Sequence, residues 1–202
     1  MLRLENVAFS YDKKQLFRDV SFTVGAGEVV AICGVSGKGK TTLGRIIAGH
    51  LNPGAGRVVL GGQEITGHPS RSVFLVSQES DLFPWQTVRR HLNFVERLRG
   101  KGQGERVSVG EALRLVRLEE DGGKVPRDLS GGMQKRLALA RALVLDPAVL
   151  VLDETFSPLD SALRKAMREE LKPFWEKRGT AVILISHDQQ MLADWGCRLL
   201  EL

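Results

Sequence analysis

Cysteine is scarce in this 202-residue chain: only Cys33 and Cys197 occur, far apart in sequence. That scarcity excludes a disulfide framework and a cysteine-bound metal cluster. The four histidines show no ligand spacing. Long hydrophobic runs are missing too. The longest, Ala148–Leu152 and Ala181–Ile185, suit buried strands and fall far short of a membrane span. Met1–Ser10 alternates polar and apolar residues and lacks the apolar stretch of a signal peptide, so the chain is expected to stay in the compartment where it is made. There is no internal repeat and no low-complexity tail.

What is present is ordinary for a globular protein, with 43% apolar and 26% charged residues. The length suits one α/β domain with a modest insert. A net charge of +5 is compatible with nucleic acid, an anionic membrane surface or a bound nucleotide. The positive charges are interspersed with acids, as in Arg164–Glu170, which reads as a solvated surface. No nucleic-acid partner is expected.

Leu2–Ser10 and Val20–Val24 read as strands, the second closed by a Gly25-Ala26-Gly27 turn. Glu28–Cys33 reads as a buried strand with Cys33 as a small core residue, followed by the glycine-rich Gly34–Gly39 and a helix at Thr41–Ala48. A short β stretch, Arg57–Leu60, precedes the strand Val73–Ser77. Amphipathic helices are expected at Val88–Leu98 and Glu105–Leu118, joined by a flexible Gly100–Gly104 link, with no strand between Gln78 and Leu129. Next come a helix (Gly132–Leu143), a strand (Val149–Asp153), a helix (Ser161–Lys177), a strand (Ala181–Ser186) and a closing strand (Arg198–Leu202). Pro173 is expected to kink or shorten the helix that contains it.

Gly34-Val35-Ser36-Gly37-Lys38-Gly39-Lys40-Thr41 fits the phosphate-loop pattern at every fixed position. The glycines allow backbone N–H groups to curl round phosphates, and the following helix adds its positive end. Lys40 would reach the β- and γ-phosphates of a nucleotide, and the Thr41 hydroxyl would ligate Mg²⁺. Asp153-Glu154 ends an apolar strand, at the end where open α/β sheets bind ligands. Asp153 can hold Mg²⁺ through water, and Glu154 can orient or deprotonate an attacking water. Alone, such a pair often only caps a helix. Before that strand, Leu129-Ser130-Gly131-Gly132-Met133-Gln134-Lys135-Arg136 opens a helix with a serine and two glycines, a second anion site or simply an N-cap.

This last segment resembles the signature motif of ATP-binding cassette (ABC) ATPases, and the resemblance runs from Tyr11 to His187. It implies an α/β fold: a phosphate-loop core of ABC type with an antiparallel β subdomain and an inserted α-helical subdomain. Residues 1–77 and 130–202 are then the nucleotide-binding core, and residues 78–129 the helical insert. It implies ATP and Mg²⁺ as ligands, with nucleotide contacts from Tyr11, Gly34, Ser36, Gly37, Lys38, Gly39, Lys40, Thr41, Thr42, Ser130, Gly131 and Gly132. Tyr11 matches the aromatic that stacks on adenine, though a lone tyrosine at a strand end is usually packing. Gln78 matches the glutamine that ligates Mg²⁺ beside Thr41 and Asp153, and His187 the histidine that contacts the γ-phosphate. Lys40, Gln78, Glu154 and His187 are the implied catalytic set. Ser157-Pro158-Leu159-Asp160 resembles the loop that crosses the dimer interface. A single phosphate loop then implies a head-to-tail dimer, with two ATPs between one chain's loop and the other's signature. Thr155 replaces the family's usual proline and should loosen that turn. Met133 departs from the frequent glutamine, and Lys38 adds a charge to the loop. With Leu202 directly after the final strand, no appended regulatory domain is expected.

The tract Asp81–Val88 resembles the same region of nitrate, sulfonate and taurine importer ATPases. Phe83 and Trp85 could fill a groove for a permease helix, or could be subdomain core. Lys124–Asp128 resembles importers more than exporters. The resulting expectation is a peripheral motor subunit at the cytoplasmic face of the inner membrane, pairing with a second ATPase subunit and with permease subunits. The alternative is a soluble or non-transport ABC ATPase acting on nucleic acid, ribosomes or a membrane assembly machine.

Overall fold

A computed structural model describes residues 1–12, 14–79, 82–99 and 106–202. Within them the strands are β1 (Leu2–Tyr11), β2 (Lys14–Val24), β3 (Val29–Cys33), β4 (Ala55–Leu60) and β5 (Gln63–Glu64), then β6 (Val73–Val76), β7 (Val149–Asp153), β8 (Ala181–Ile185) and β9 (Arg198–Glu201). The helices are α1 (Lys40–Ile47), α2 (Val88–Leu98), α3 (Val109–Leu115), α4 (Gly131–Leu145), α5 (Ser161–Arg178) and α6 (Gln189–Asp194).

β3, β7 and β8 are buried at every residue, as continuous apolar runs are when both faces of a parallel sheet are covered. They form the middle of a parallel sheet of order β6-β7-β8-β3-β9. Alternation along each strand serves two cores. Val30, Ile32, Val151 and Ile183 pack with Leu43, Ile46 and Ile47 of α1 and with the antiparallel sheet β2-β1-β4-β5. Val29, Ala31, Leu152 and Leu184 face the other way, toward α4, α5 and the α2–α3 pair. This is the expected α/β architecture with its antiparallel β sheet.

α2 matches its expected bounds, because Thr87 caps it and Val88, His91, Leu92 and Val95 share one buried face. α3 is shorter than Glu105–Leu118: Ser108 caps its start, and Arg117 turns to φ 57° just beyond its end. The Gly100–Gly104 link, Glu105 and Asp81 lie outside the described residues. β2 begins earlier than Val20: its first half holds the core residue Phe17, with Leu16 packed against that core, among polar ones and is made irregular by register shifts and by Asp19 at φ 54°. β5 and α6 were not expected; α6 is opened by the Asp188 carboxylate, which accepts from Met191 N at 2.9 Å.

Pro173 does not shorten α5, which runs on to Arg178. Pro173 and the acceptor it leaves unused, Glu169, are both exposed, so water can take the freed carbonyl. Burial of Leu171 and Trp175 and the Gly179 cap hold the last turns in place. At the end of α4, Asp146 accepts from Arg99 (2.6 Å) after α2 and from Arg178 (2.8 Å) of α5, tying three helix ends together.

His91 is fully buried with neither ring nitrogen hydrogen-bonded, its ring 4.9 Å from that of Phe83. Burial, aided by the Arg141 charge, pushes its pKa down to about 4. A depressed folded-state pKa gives stability that is present above the unfolded value and lost as pH falls toward the folded one. Between pH 7 and 5 the chain should lose about 2 kcal/mol more unfolding free energy than a His91→Leu variant. Denaturant titrations at the two pH values measure this.

Candidate functional site

Parallel pairing sets the site. The C-terminal ends of β6, β7, β8 and β3 all lie on one edge, so the segments leaving these strands are brought together there. After β3 comes Gly34–Gly39; after β8, His187; at the end of β7, Asp153 and Glu154; after β6, Gln78.

The loop after β3 is closed to side chains at its two ends. Gly34 has φ 143°, and a Cβ there would lie 2.8 Å from the Leu202 carbonyl oxygen. Gly39, at φ 96°, is the residue preceding α1, and a Cβ would lie 3.0 Å from the Phe17 ring. With no side-chain cap, the N–H groups opening α1 are left for a ligand. Lys40 is buried, and its ammonium donates to the carbonyls of Gly34 (2.7 Å) and Val35 (3.1 Å).

Asp153 is 1% exposed, and neither carboxylate oxygen completes a hydrogen bond. Burial raises its pKa and the neighbouring Glu154 charge adds to this, while the Thr41 hydroxyl, Lys135 and Arg45 oppose it. A buried, unpaired carboxylate calls for a cation. Among the described residues no group of three His, Cys, Asp or Glu side chains could hold a metal. A cation here would meet a hydroxyl (Thr41), an amide (Gln78) and one carboxylate, a hard oxygen set that fits Mg²⁺ sharing its shell with water and phosphate.

Glu154, at φ 50°, is held from several sides. Its Oε1 accepts from His187 N at 3.0 Å and lies 2.8 Å from His187 Nδ1. Its Oε2 accepts from the Ser157 hydroxyl and, at 3.1 Å, from Ser186 Oγ. Burial alone would raise the Glu154 pKa, but hydrogen bonds from Ser157 and His187, with the Ser186 bond behind them, bring it below its usual value. The carboxylate is charged at neutral pH. Next to it, Thr155 is buried with its hydroxyl unpaired.

A cleft of about 900 Å³ gathers these groups. Ser36, Gly37, Gly39, Lys40, Thr41 and Thr42 form one wall; Gln78, Asp153, Glu154 and His187 reach it from the other strand ends. Tyr11 stands at its margin, 48% exposed and edge-on to Phe9 at 4.8 Å. Gly34, Lys38, Ser130, Gly131 and Gly132 do not line it. Ser130 caps α4, accepting from Met133 N at 3.3 Å, and with Gly131 is exposed. Lys135, read in the sequence only as part of the signature helix, does line the cleft, its ammonium donating to the Ser77 carbonyl at 3.2 Å. Ser186, read in the sequence only as a strand end, directly precedes His187 and donates to Glu154.

The sequence model of the ABC transporter family matches residues 17–157, and this chain belongs to that family of ATP-binding cassettes. It is 41% identical over 194 residues to the spermidine/putrescine import ATP-binding protein PotA of Haemophilus ducreyi, covering 94% of this chain and 52% of that protein. It is 37% identical over 203 residues to the sulfate/thiosulfate import ATP-binding protein CysA 2 of Agrobacterium fabrum, covering 98% and 60%. The chain thus spans little more than half the length of these relatives. Among solved structures it superposes on one chain of the dimeric structure of a bacterial ABC transporter cassette with a TM-score of 0.88 at 27% identity, covering 100% of this chain and 94% of that one. A post-hydrolysis dimer of an ATP-binding cassette holding ADP and Pi gives 0.84 at 30% identity, with the same coverage. No helix among the described residues is long and apolar enough to cross a membrane.

Proposed function

We propose that this chain binds ATP with Mg²⁺ in the cleft and hydrolyses it, driving an importer as its peripheral motor subunit at the cytoplasmic face of the inner membrane. The observation that carries this reading is the convergence of the phosphate loop, the unpaired Asp153 and the held carboxylate of Glu154 on one cleft. Lys40 exchanges its loop carbonyls for the β- and γ-phosphates, while the amides opening α1 surround them. Thr41, Gln78 and Asp153 would hold Mg²⁺, which when bound would supply positive charge to the phosphates. Glu154 orients the attacking water, His187 meets the γ-phosphate, and Tyr11 stacks on adenine. Residues 1–77 and 130–202 form the nucleotide-binding core, and residues 78–129 the arm that meets the membrane partner.

Ser130, Gly131 and Gly132 stand away from their own cleft on an exposed helix end, which suits contact with a nucleotide held by a second copy. The similarity to dimeric cassettes favours the same arrangement. Permease contact falls to the exposed aromatic group before and on α2. Trp85 is 74% exposed and packs on Phe83 at 5.8 Å, and Phe94 meets Phe83 edge-on at 5.6 Å. An apolar platform left open to solvent suits a partner helix. Import is common to the resemblance around Asp81–Val88 and to the spermidine/putrescine and sulfate relatives, and a small solute is the cargo class in every case.

The purified chain should hydrolyse ATP with Mg²⁺ and stop when the metal is chelated. Trp85→Ala should keep that hydrolysis but lose capture by its permease. Hydrolysis indifferent to chelation would overturn the metal role, and full permease capture by Trp85→Ala would overturn the docking surface. Nucleic-acid binding with a steep salt dependence, and no permease capture, would favour the soluble alternative.

A further inference from the structure

Of the groups that hold the Glu154 carboxylate, Ser186 alone is completely buried. Its hydroxyl does not line the cleft. It accepts from Asp188 N at 3.2 Å and donates to Glu154 Oε2 at 3.1 Å. A serine hydroxyl carries one proton, and with Asp188 N–H on a lone pair that proton is directed at the carboxylate. The alternative contact, to Ser157 Oγ, is longer at 3.5 Å. Asp188 is itself fixed: Oδ1 accepts from Met191 N at 2.9 Å, capping α6, and Oδ2 lies 3.5 Å from Arg164 Nη1 of α5. The backbones on both sides are hydrogen-bonded to the sheet. Ser186 N donates to the Ile32 carbonyl at 3.3 Å, and Glu154 N to the Ile185 carbonyl at 3.0 Å. Glu154 also carries a left-handed φ of 50°, a conformation that persists in a non-glycine residue when its surroundings over-determine it.

We propose that Ser186 is a positioning residue for hydrolysis, its buried hydroxyl fixing the Glu154 side chain so that the carboxylate faces the cleft beside the phosphate loop. The inference rests on the role of Glu154 in orienting the attacking water. A glutamate side chain has three rotatable bonds, and one that samples several rotamers holds an attacking water only part of the time. Ser157 holds the same oxygen, but from a half-buried position on the loop to α5, and His187 holds the other from an exposed side chain. Ser186 is the anchor fixed to the sheet. Because it does not reach the cleft, its loss should act on the chemical step and leave nucleotide binding alone.

Ser186→Ala should lower kcat by about tenfold or more, the worth of a hydrogen bond to a charged group, with the KM for ATP within about twofold. Ser186→Thr, which keeps the hydroxyl, should recover most of the rate. In a Glu154→Gln background, Ser186→Ala should cost little further in single-turnover rate, because the group it acts through is already disabled. Melting temperatures of all variants identify any that fail to fold, and the Ala and Thr variants test the hydroxyl independently. An unchanged kcat in Ser186→Ala would overturn the inference, as would the same fold-loss in both backgrounds, or a rise in KM at unchanged kcat. A folded Ser186→Thr enzyme no faster than Ser186→Ala would do so too. A fully active Glu154→Gln enzyme would instead overturn the role of Glu154, and this inference with it.

Discussion

Lys40→Ala should weaken ATP binding by about one to two orders of magnitude, the equivalent of losing one hydrogen bond to a charged group at about 1.5–3 kcal/mol. The ammonium is buried at the head of α1 and sits 2.7 Å and 3.1 Å from two loop carbonyls. These contacts keep it where a triphosphate would lie, so little ordering remains when a nucleotide arrives. The fold should survive the change. Alanine is the best helix former at that position, and the two released carbonyls belong to residues that water can reach, Gly34 half-buried and Val35 exposed. Calorimetric titration with ATP and Mg²⁺, beside a thermal melt of each protein, measures both. Tight ATP binding by a folded Lys40→Ala protein would contradict the role given to this lysine.

Glu154→Gln should stop hydrolysis almost completely, by the roughly 10²–10⁴-fold typical of losing a positioned base, while ATP still binds. The substitution keeps the shape for a reason visible in the contacts. Gln can turn its oxygen to the His187 N–H and its amide nitrogen to the Ser157 and Ser186 hydroxyls, which can accept as well as donate. What disappears is the negative charge. A single-turnover assay with ATP in limiting amount reads the chemical step directly, and an active Glu154→Gln enzyme would rule out the catalytic role.

The sheet was legible because its central strands coincide with the continuous apolar runs Val29–Cys33, Ala148–Leu152 and Ala181–Ile185, and α2 because a cap and an i, i+3, i+4, i+7 face agree on its limits. The phosphate loop could be read because fixed glycines are demanded by backbone conformation, which leaves a local trace. Where the reading failed, the deciding contacts lay elsewhere in space. The first half of β2 sets only Leu16 and Phe17 among charged and polar residues and is irregular, held in place by its pairing with β1. α5 is not shortened at Pro173 because packing of Leu171 and Trp175 outweighs one missing hydrogen bond. α6 depends on the Asp188 cap, in a stretch too short to show a period. Lys135 and Ser186 acquire their places from residues distant in sequence, Ser77 just after β6 for the first and Glu154 just after β7 for the second. Trp85 could have been core or surface from sequence, because a tryptophan suits both, and only packing puts it outside.

In the proposed assembly the cleft holds ATP and is completed by the Ser130–Gly132 end of a second copy. Sedimentation velocity of the Glu154→Gln protein at high concentration, with and without ATP and Mg²⁺, tests it most directly. Hydrolysis would no longer discharge the nucleotide, so the protein should sediment as a dimer with ATP and as a monomer without it. Adding Ser130→Arg should return it to a monomer in ATP, since bulk and positive charge would then occupy the helix end proposed to receive phosphate. A Glu154→Gln protein saturated with ATP that stays monomeric throughout, or a dimer indifferent to Ser130→Arg, would contradict the shared site.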